Sequence, residues 1–292
     1  MSDVAYVNGT FVEEADAHVR FDDRGFIFAD GLYEVIRCYA GTPFRLDAHV
    51  ERLREGAEQI RLELPREVDD AGALIAELAD RNGVAGGGFN VYLQITRGAG
   101  ARAHAFPKGA EPTVIAWILP VPPDSEEGVI QRAITVPDRR WEMCNVKTTG
   151  LLLNVLAKQA AAEAGAQEAI FVRNGVATEG AATNFFGVID SAVHTHPRGP
   201  HILPGVTRMV ALELLERQGV TVVEEPIPAE RLPLVEEAFT TGTGIEIAPV
   251  VEIDGRSVGD GSVGPTTRRL IADFRRLTRD PATPEALESA AG

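Results

Sequence analysis

The sequence predicts an α+β fold in two domains, a small N-terminal α/β domain and a larger β-rich one. Three observations carry this. Strand patterns outnumber helical ones, several strands are joined by two-residue turns rather than by helices, and a Pro- and acid-rich stretch, PVPPDSEEG at 120–128, divides the chain. The expected layout is a small domain over 1–119, a linker at 120–128, a larger second domain over 129–278, and a polar tail at 279–292.

The elements follow in order. VAYV and TFV flank Asn8-Gly9, a strong hairpin turn signal. An apolar strand runs from Leu32 to Tyr39. Asp47 is placed to cap a helix whose Val50, Leu53, Ala57 and Ile60 recur at helical spacing. A second helix spans about 70–81, with Leu74, Ile75 and Leu78 inward, and ends at Asn82-Gly83. In GFNVYLQITRG, Phe89, Val91, Leu93 and Ile95 alternate with Asn90, Tyr92, Gln94 and Thr96, the mark of a half-buried strand. Strands over 113–119 and 129–136 stand on either side of the divide. LLLNVLAKQAAAEAG is a helix, EAIFVRNGVATEG a hairpin on Asn174-Gly175, and NFFGVI and AVHTH are further strands. VTRMVALELLERQG and PTTRRLIADFRRLT are helices, with strands TVVEE and EAFTTGTG between them.

Composition narrows function. The 292 residues carry 28 Lys+Arg against 43 Asp+Glu, a formal charge of −15, which opposes general binding to a phosphate backbone. No apolar run reaches the ~20 residues of a membrane span, and MSDVAYVNGTFVEEADAHVR lacks a basic region followed by an apolar core. The expectation is a cytoplasmic protein with no nucleic-acid or membrane partner. Two cysteines, Cys38 and Cys144, make neither a disulfide framework nor a zinc site. His194, His196 and His201 lie close together but without an acid or cysteine beside them, so no metal is expected.

Only three of the cations are lysines. Lys108 sits in a Pro/Gly loop and Lys158 in an alanine-rich helix, both ordinary surface settings. Lys147, in WEMCNVKTTGLLLN, has Trp141, Met143 and Val146 around it in sequence. Burial favours the neutral amine that Schiff-base chemistry needs, although a lysine snorkelling at a domain edge fits the same pattern. LPGVTR places Gly205, Val206 and Thr207 at a helix start, where free N–H groups suit a phosphate or simply a capped helix. TTGTG, with Gly242 and Thr243, is either a donor-rich turn or an ordinary one. Arg52 can close a phosphate cup or pair with an acid. Glu179 sits among Ala, Gly and Thr, where a buried carboxylate needs a partner, an arginine or a protonated ring nitrogen. Arg102 and His104 share a glycine-rich loop that can bind a small carboxylate or remain exposed.

These pieces coincide. DRGFIFADGLYEVIRCY, HVERLREGAEQIR, VYLQITRGAGARAHAFP, VKTTGLLLNVLAKQ, GVATEGAATNFFGV, ILPGVTR and TTGTGIEIAPVVEIDG occur in this order. Together they resemble fold-type IV pyridoxal-phosphate aminotransferases, and within them the D-amino acid aminotransferases. The resemblance implies that Lys147 holds pyridoxal 5'-phosphate as a Schiff base and moves the Cα proton. It implies that Glu179 faces the pyridine nitrogen, and that Arg52, Gly205, Val206, Thr207, Gly242 and Thr243 surround the phosphate. Tyr33, Arg102 and His104 match a substrate-carboxylate trap, the last two reaching over from a partner subunit; Val35, His49 and Tyr92 line or support the pocket. The implied protein is a homodimer with the cofactor between the two domains, working by ping-pong halves on an amino donor and a 2-keto acid acceptor. Gly242 and Gly244 stand where the D-amino acid branch has hydroxyl residues, and in this the chain leans toward the branched-chain branch. An L-branched-chain aminotransferase, an (R)-selective amine transaminase and an aminodeoxychorismate lyase share the fold. A cofactor-binding protein without turnover is the non-enzyme alternative.

Overall fold

The computed structural model describes residues 4–119, 121 and 129–279. The chain forms two compact units, Met1–Pro122 with Val146–Leu151, and Pro123–Asn145 with Leu152–Gly292. The expected linker, apart from Val121, and the tail beyond Arg279 lie outside the described residues.

The first unit contains β1 (Val4–Val7), β2 (Thr10–Glu13), α1 (Arg24–Phe28), β3 (Gly31–Tyr39), β4 (Thr42–Pro43), α2 (Leu46–Ile60), α3 (Ala71–Arg81), β5 (Phe89–Thr96) and β6 (Thr113–Leu119). The strands form one antiparallel sheet ordered β2-β1-β6-β5-β3-β4. Asn8 and Gly9 take φ of 46° and 87°, the left-handed pair that a tight hairpin requires. Alternation then sorts the sheet faces. Leu32, Ile36, Val91, Leu93, Ile95, Val114 and Ala116 are buried with Leu53, Ala57, Leu74, Ile75 and Leu78 of α2 and α3. The opposite face carries Tyr33, Val35, Arg37, Tyr92 and Trp117. There the Tyr33 and Tyr92 rings stack at 5.3 Å and Tyr92 meets Trp117 at 4.2 Å. Asp47 lies inside the first turn of α2 rather than at its cap, which Arg45 occupies at φ 52°.

The second unit contains β7 (Gln131–Pro137), α4 (Leu152–Glu163), β8 (Glu168–Arg173), β9 (Val176–Gly180), β10 (Asn184–Ile189), β11 (Ala192–Thr195), α5 (Val206–Arg217), β12 (Val222–Val223), β13 (Glu237–Gly242), β14 (Glu246–Ile253), β15 (Arg256–Ser257) and α6 (Pro265–Arg279). Its mixed sheet runs β12-β11-β10-β13-β14-β7-β8-β9. Asn184 on β10 is the register partner of Thr241 on β13 and of Glu179 on β9, so one residue joins three strands. Phe186 and Phe239 stack at 4.7 Å in the core. Glu237 holds the start of α6 by accepting from the Thr266 and Thr267 amides.

One segment departs from the expected layout. Val146–Leu151, assigned from sequence to the second domain, belongs to the first unit. The reason is backbone bonding to β3: Tyr33 N–H donates to the Lys147 carbonyl at 3.1 Å, Thr149 N–H donates to the Gly31 carbonyl at 3.1 Å, and Thr148 bridges Leu32.

Candidate active site

The first unit holds Lys147 beside the aromatic face of its sheet. Its backbone is fixed to β3 as described, and Nζ lies 4.1 Å from the centroid of the Tyr33 ring. The residue is half-buried, with the amine against an aromatic face, a setting between the buried and the snorkelling alternatives left open by the sequence.

Behind β3 lies a group that sequence reading did not single out. Glu34 shares the inward face with Leu32 and Ile36 and is 1 % exposed. It accepts from Arg52 Nε at 2.8 Å and Nη2 at 2.6 Å, and its Oε2 lies 2.7 Å from His49 Nδ1. Burial pushes the Glu34 carboxyl up, but the Arg52 and His49 charges and hydrogen bonds more than offset it. The carboxyl is left well below the usual carboxylate range. Burial lowers the His49 imidazole despite Glu34. Facing a carboxylate, His49 donates through Nδ1–H. Arg52 and His49, expected at phosphate and substrate, therefore both serve Glu34 here. The available signal was an acid at the inward parity of an apolar strand.

Arg102 and His104 are exposed on their loop. The loop is tied down from beneath: Arg24 donates to the Ala103 carbonyl at 2.6 Å and the His104 carbonyl at 3.3 Å, and pairs with Asp30 at 2.8 Å. Arg97 also pairs with Asp30, at 2.9 Å, and covers the Phe106 ring at 3.7 Å. Val35 and Tyr92 are register partners on the Tyr33 face, and Tyr92 Oη donates to Gln94 at 2.8 Å.

The second unit gathers a different set around Asn184. Asn184 Nδ2 donates to Glu179 Oε2 at 3.2 Å and to the Leu203 carbonyl at 2.8 Å, while the Leu203 amide donates to the same Glu179 oxygen at 2.9 Å. Glu179 Oε1 accepts from Arg140 Nη1 at 2.6 Å. Asp138, its side chain buried, orients Arg140 by accepting from its Nε and Nη2 at 2.9 Å, and it also takes Arg173 Nε at 3.1 Å. Burial opposes ionisation of Asp138, yet the two arginines hold its carboxyl down at about 2. Burial pushes the Glu179 carboxyl up to about 7, with Arg140 and the Leu203 amide pulling the other way. Asp138, Arg140 and Asn184 were not read from the sequence, since nothing local marks them.

Gly205 precedes α5 without a side-chain cap, so the amides of Val206 and Thr207 open the helix uncapped. A Cβ on Gly205 would collide with Asn184 Oδ1. At the end of β13, the strand that pairs with Asn184, the Thr241 hydroxyl is buried with no hydrogen-bond partner, Gly242 ends the strand, and Thr243 opens the turn that follows. An uncapped helix start, a glycine packed against the Asn184 amide, and an orphaned hydroxyl are a fitting donor set for a phosphate. A buried carboxylate in the same cluster fits a cationic ring nitrogen. The residues present thus fit pyridoxal 5'-phosphate.

Residues 31–253 match the amino-transferase class IV family, and the chain belongs to it. Class IV aminotransferases depend on pyridoxal 5'-phosphate. Among its relatives, the D-alanine aminotransferase of Staphylococcus haemolyticus is 39% identical over 275 residues, covering 93% of this chain and 96% of the relative. That of Bacillus licheniformis is also 39% identical, covering 90% and 93%. In three dimensions the chain is similar to the branched-chain amino acid aminotransferase of Escherichia coli, at TM-score 0.87 and 28% identity, covering 96% of this chain and 95% of the other. It is also similar to the branched-chain aminotransferase of Thermoproteus uzoniensis with norvaline, at TM-score 0.86 and 26% identity over 98% of both chains.

Proposed function

We propose that this protein is a D-amino acid aminotransferase that moves an amino group from a donor such as D-alanine or D-glutamate to a 2-keto acid. The observation that carries it is Lys147, whose carbonyl accepts from the Tyr33 amide of β3 and whose amine is set against the Tyr33 ring. The likeness to D-alanine aminotransferases over nine-tenths of the chain supports the D-amino acid branch.

Pyridoxal 5'-phosphate supplies an electron sink for the pair left when a Cα–H bond breaks. Lys147 would hold it covalently through Nζ, and the Nζ amine would take the substrate Cα proton and give it back, serving as anchor and as general acid/base. Glu179 would serve as the carboxylate partner of the ring nitrogen, with Arg140 and Asn184 orienting the carboxylate. The Val206 and Thr207 amides and the Thr207 and Thr243 hydroxyls take the phosphate. Gly205 and Gly242 keep that place clear of side chains. Arg52, its plane set by Glu34, would be a source of positive charge for a phosphate.

Tyr33 takes the substrate α-carboxylate, with Val35 and Tyr92 lining the pocket and His49 supporting it. Arg102 and His104 complete the trap for a partner subunit, a reading supported by their exposure in their own chain. Leu152, Val155 and Leu156 leave an apolar side of α4 exposed, which favours a homodimer. Among the described residues no helix is long and apolar enough to cross a membrane, in keeping with a cytoplasmic enzyme.

L-branched-chain transamination is the second reading, favoured by the solved structures and by Gly242 and Gly244. The test is the visible band of the bound cofactor after D-alanine, L-leucine or (R)-1-phenylethylamine. Bleaching by D-alanine supports the proposal. Bleaching by L-leucine alone moves the chain to the branched-chain branch, by the amine alone to the amine branch, and by none to binding without turnover.

A further inference from the structure

The face of the first sheet that carries Tyr33 and Val35 continues to a pair of unsatisfied polar side chains. Arg37 is next in the row on β3, and Asn90 is its register partner on β5. Arg37 Nε is buried with no hydrogen-bond partner, and so is Asn90 Oδ1. No carboxylate pairs with Arg37 among the described residues. Other arginines of this unit differ: Arg24 and Arg97 pair with Asp30, Arg52 with Glu34, Arg54 with Asp69 and Arg81 with Glu77. A lone, half-buried guanidinium is the more unusual in a chain with 43 acids.

Its position is set rather than loose. Cζ lies 5.0 Å from the centroid of the Tyr39 ring. The stacked face leaves the N–H edges of the guanidinium for an acceptor, and a cation–π contact does not satisfy them. Asn90 is 4% exposed; its partnerless Oδ1 is an acceptor, and a carboxylate would be met by its Nδ2 donor. Burying the Arg37 Nε–H without an acceptor is costly, so Arg37 points to a bound acceptor, and its planar, forked donor matches a carboxylate.

We propose that Arg37 and Asn90 form the subsite for the distal carboxylate of a dicarboxylic amino acid or 2-keto acid. The proposal rests on the aminotransferase reading above, with Lys147 and Tyr33 at the reacting end of the row. Same-face positions on a strand are about 7 Å apart, so Val35 fills the middle of the row and Arg37 closes it. A substrate with one carboxylate engages Tyr33 and stops at Val35. One with two reaches toward Arg37, and the site then separates D-glutamate from D-alanine by the second charge.

The test is the bleaching of the holoenzyme's visible band by D-alanine and by D-glutamate, in wild type, Arg37→Met, Arg37→Lys and Asn90→Ala. Loss of a charge-assisted hydrogen bond predicts that Arg37→Met lowers the D-glutamate to D-alanine ratio of second-order rate constants about 10- to 100-fold. Arg37→Lys should recover part of it, and Asn90→Ala should lower the ratio by a smaller factor. In wild type, glutarate should inhibit D-alanine bleaching at lower concentration than butyrate, a comparison that needs no variant. An unchanged ratio in Arg37→Met, or equal inhibition by the two acids, overturns the subsite while leaving the aminotransferase reading intact. A wild-type enzyme bleached by neither D-amino acid overturns both.

Discussion

Glu34→Gln isolates the buried group behind β3. The substitution keeps the side chain's shape and removes its charge. In the wild type, Glu34 and Arg52 are both buried, and the carboxylate takes two guanidinium bonds and one from His49. The amide oxygen can still accept, but its NH₂ faces donors, and Arg52 loses its counter-ion. Breaking a buried pair this way costs about 3–5 kcal/mol, a large share of the ~5–15 kcal/mol that holds a typical domain together. Urea unfolding of the apoprotein, followed by far-ultraviolet circular dichroism, measures it. The pH dependence supplies an internal check. The folded carboxyl is depressed below its unfolded value of 4.5. Its stabilisation is therefore present above that value and is lost as pH falls toward the folded pKa, so the gap between wild type and variant is full at neutral pH and narrows in acid. Combining Glu34→Gln with Arg52→Met should give a double mutant less destabilised than the sum, by about 2 kcal/mol or more. A loss below about 1 kcal/mol for Glu34→Gln, or strict additivity, would show that Arg52 does not depend on this carboxylate.

Four further outcomes are expected. Lys147→Ala abolishes turnover and leaves the circular dichroism spectrum unchanged; retained steady-state activity would remove the assignment of the amine. Arg102→Ala lowers kcat/KM for D-amino acids far more than for amines lacking a carboxylate, and equal losses would refute the trap. Gly205→Ala pushes a methyl group into Asn184 Oδ1, so pyridoxal 5'-phosphate should dissociate more readily in equilibrium dialysis. Glu179 has a folded pKa raised from 4.5 to about 7, so apoprotein stability falls as pH rises through that range, by about 3 kcal/mol at ~1.36 kcal/mol per unit. Denaturation midpoints of Glu179→Gln across pH 4–8 should lack that fall.

What was legible in the sequence is what short-range chemistry decides. Asn8-Gly9 and Asn174-Gly175 need left-handed backbone and take it, at φ between 46° and 87°. The alternation over 89–96 assigned each residue its face, which is why Tyr92 and Phe89 lie on opposite sides of β5. Lys147 stood out because the chain has so few lysines. The remainder depended on long-range partners. Arg140 meets Glu179 across 39 residues, and Arg52 meets Glu34 across 18, from a helix to a strand. β14 was hidden by its own composition, since Pro249 lies within it and proline argues against an interior strand. The return of Val146–Leu151 to the first unit rests on backbone bonds to β3, and a backbone bond leaves no residue signature.

That return has a consequence for how the chemistry is kept in register. Tyr33, Val35 and Arg37 point from one strand, and the same strand's Gly31 and Tyr33 backbone groups hold Lys147 and its neighbour Thr149. A shift of β3 thus carries the amine and the substrate face together, and their spacing survives it. Glu34 on the reverse of the strand ties Arg52 and His49 to that frame. In the second unit Asn184 plays the corresponding part, since it is the register partner of both Glu179 and Thr241 and its side chain also reaches Leu203. Each set is therefore ordered by one backbone element, β3 or β10, and each has a buried carboxylate held by an arginine. Side chains fixed in this way lose little further entropy when a ligand arrives, which under the proposed function leaves more of the binding free energy for orienting the Cα–H bond toward Nζ.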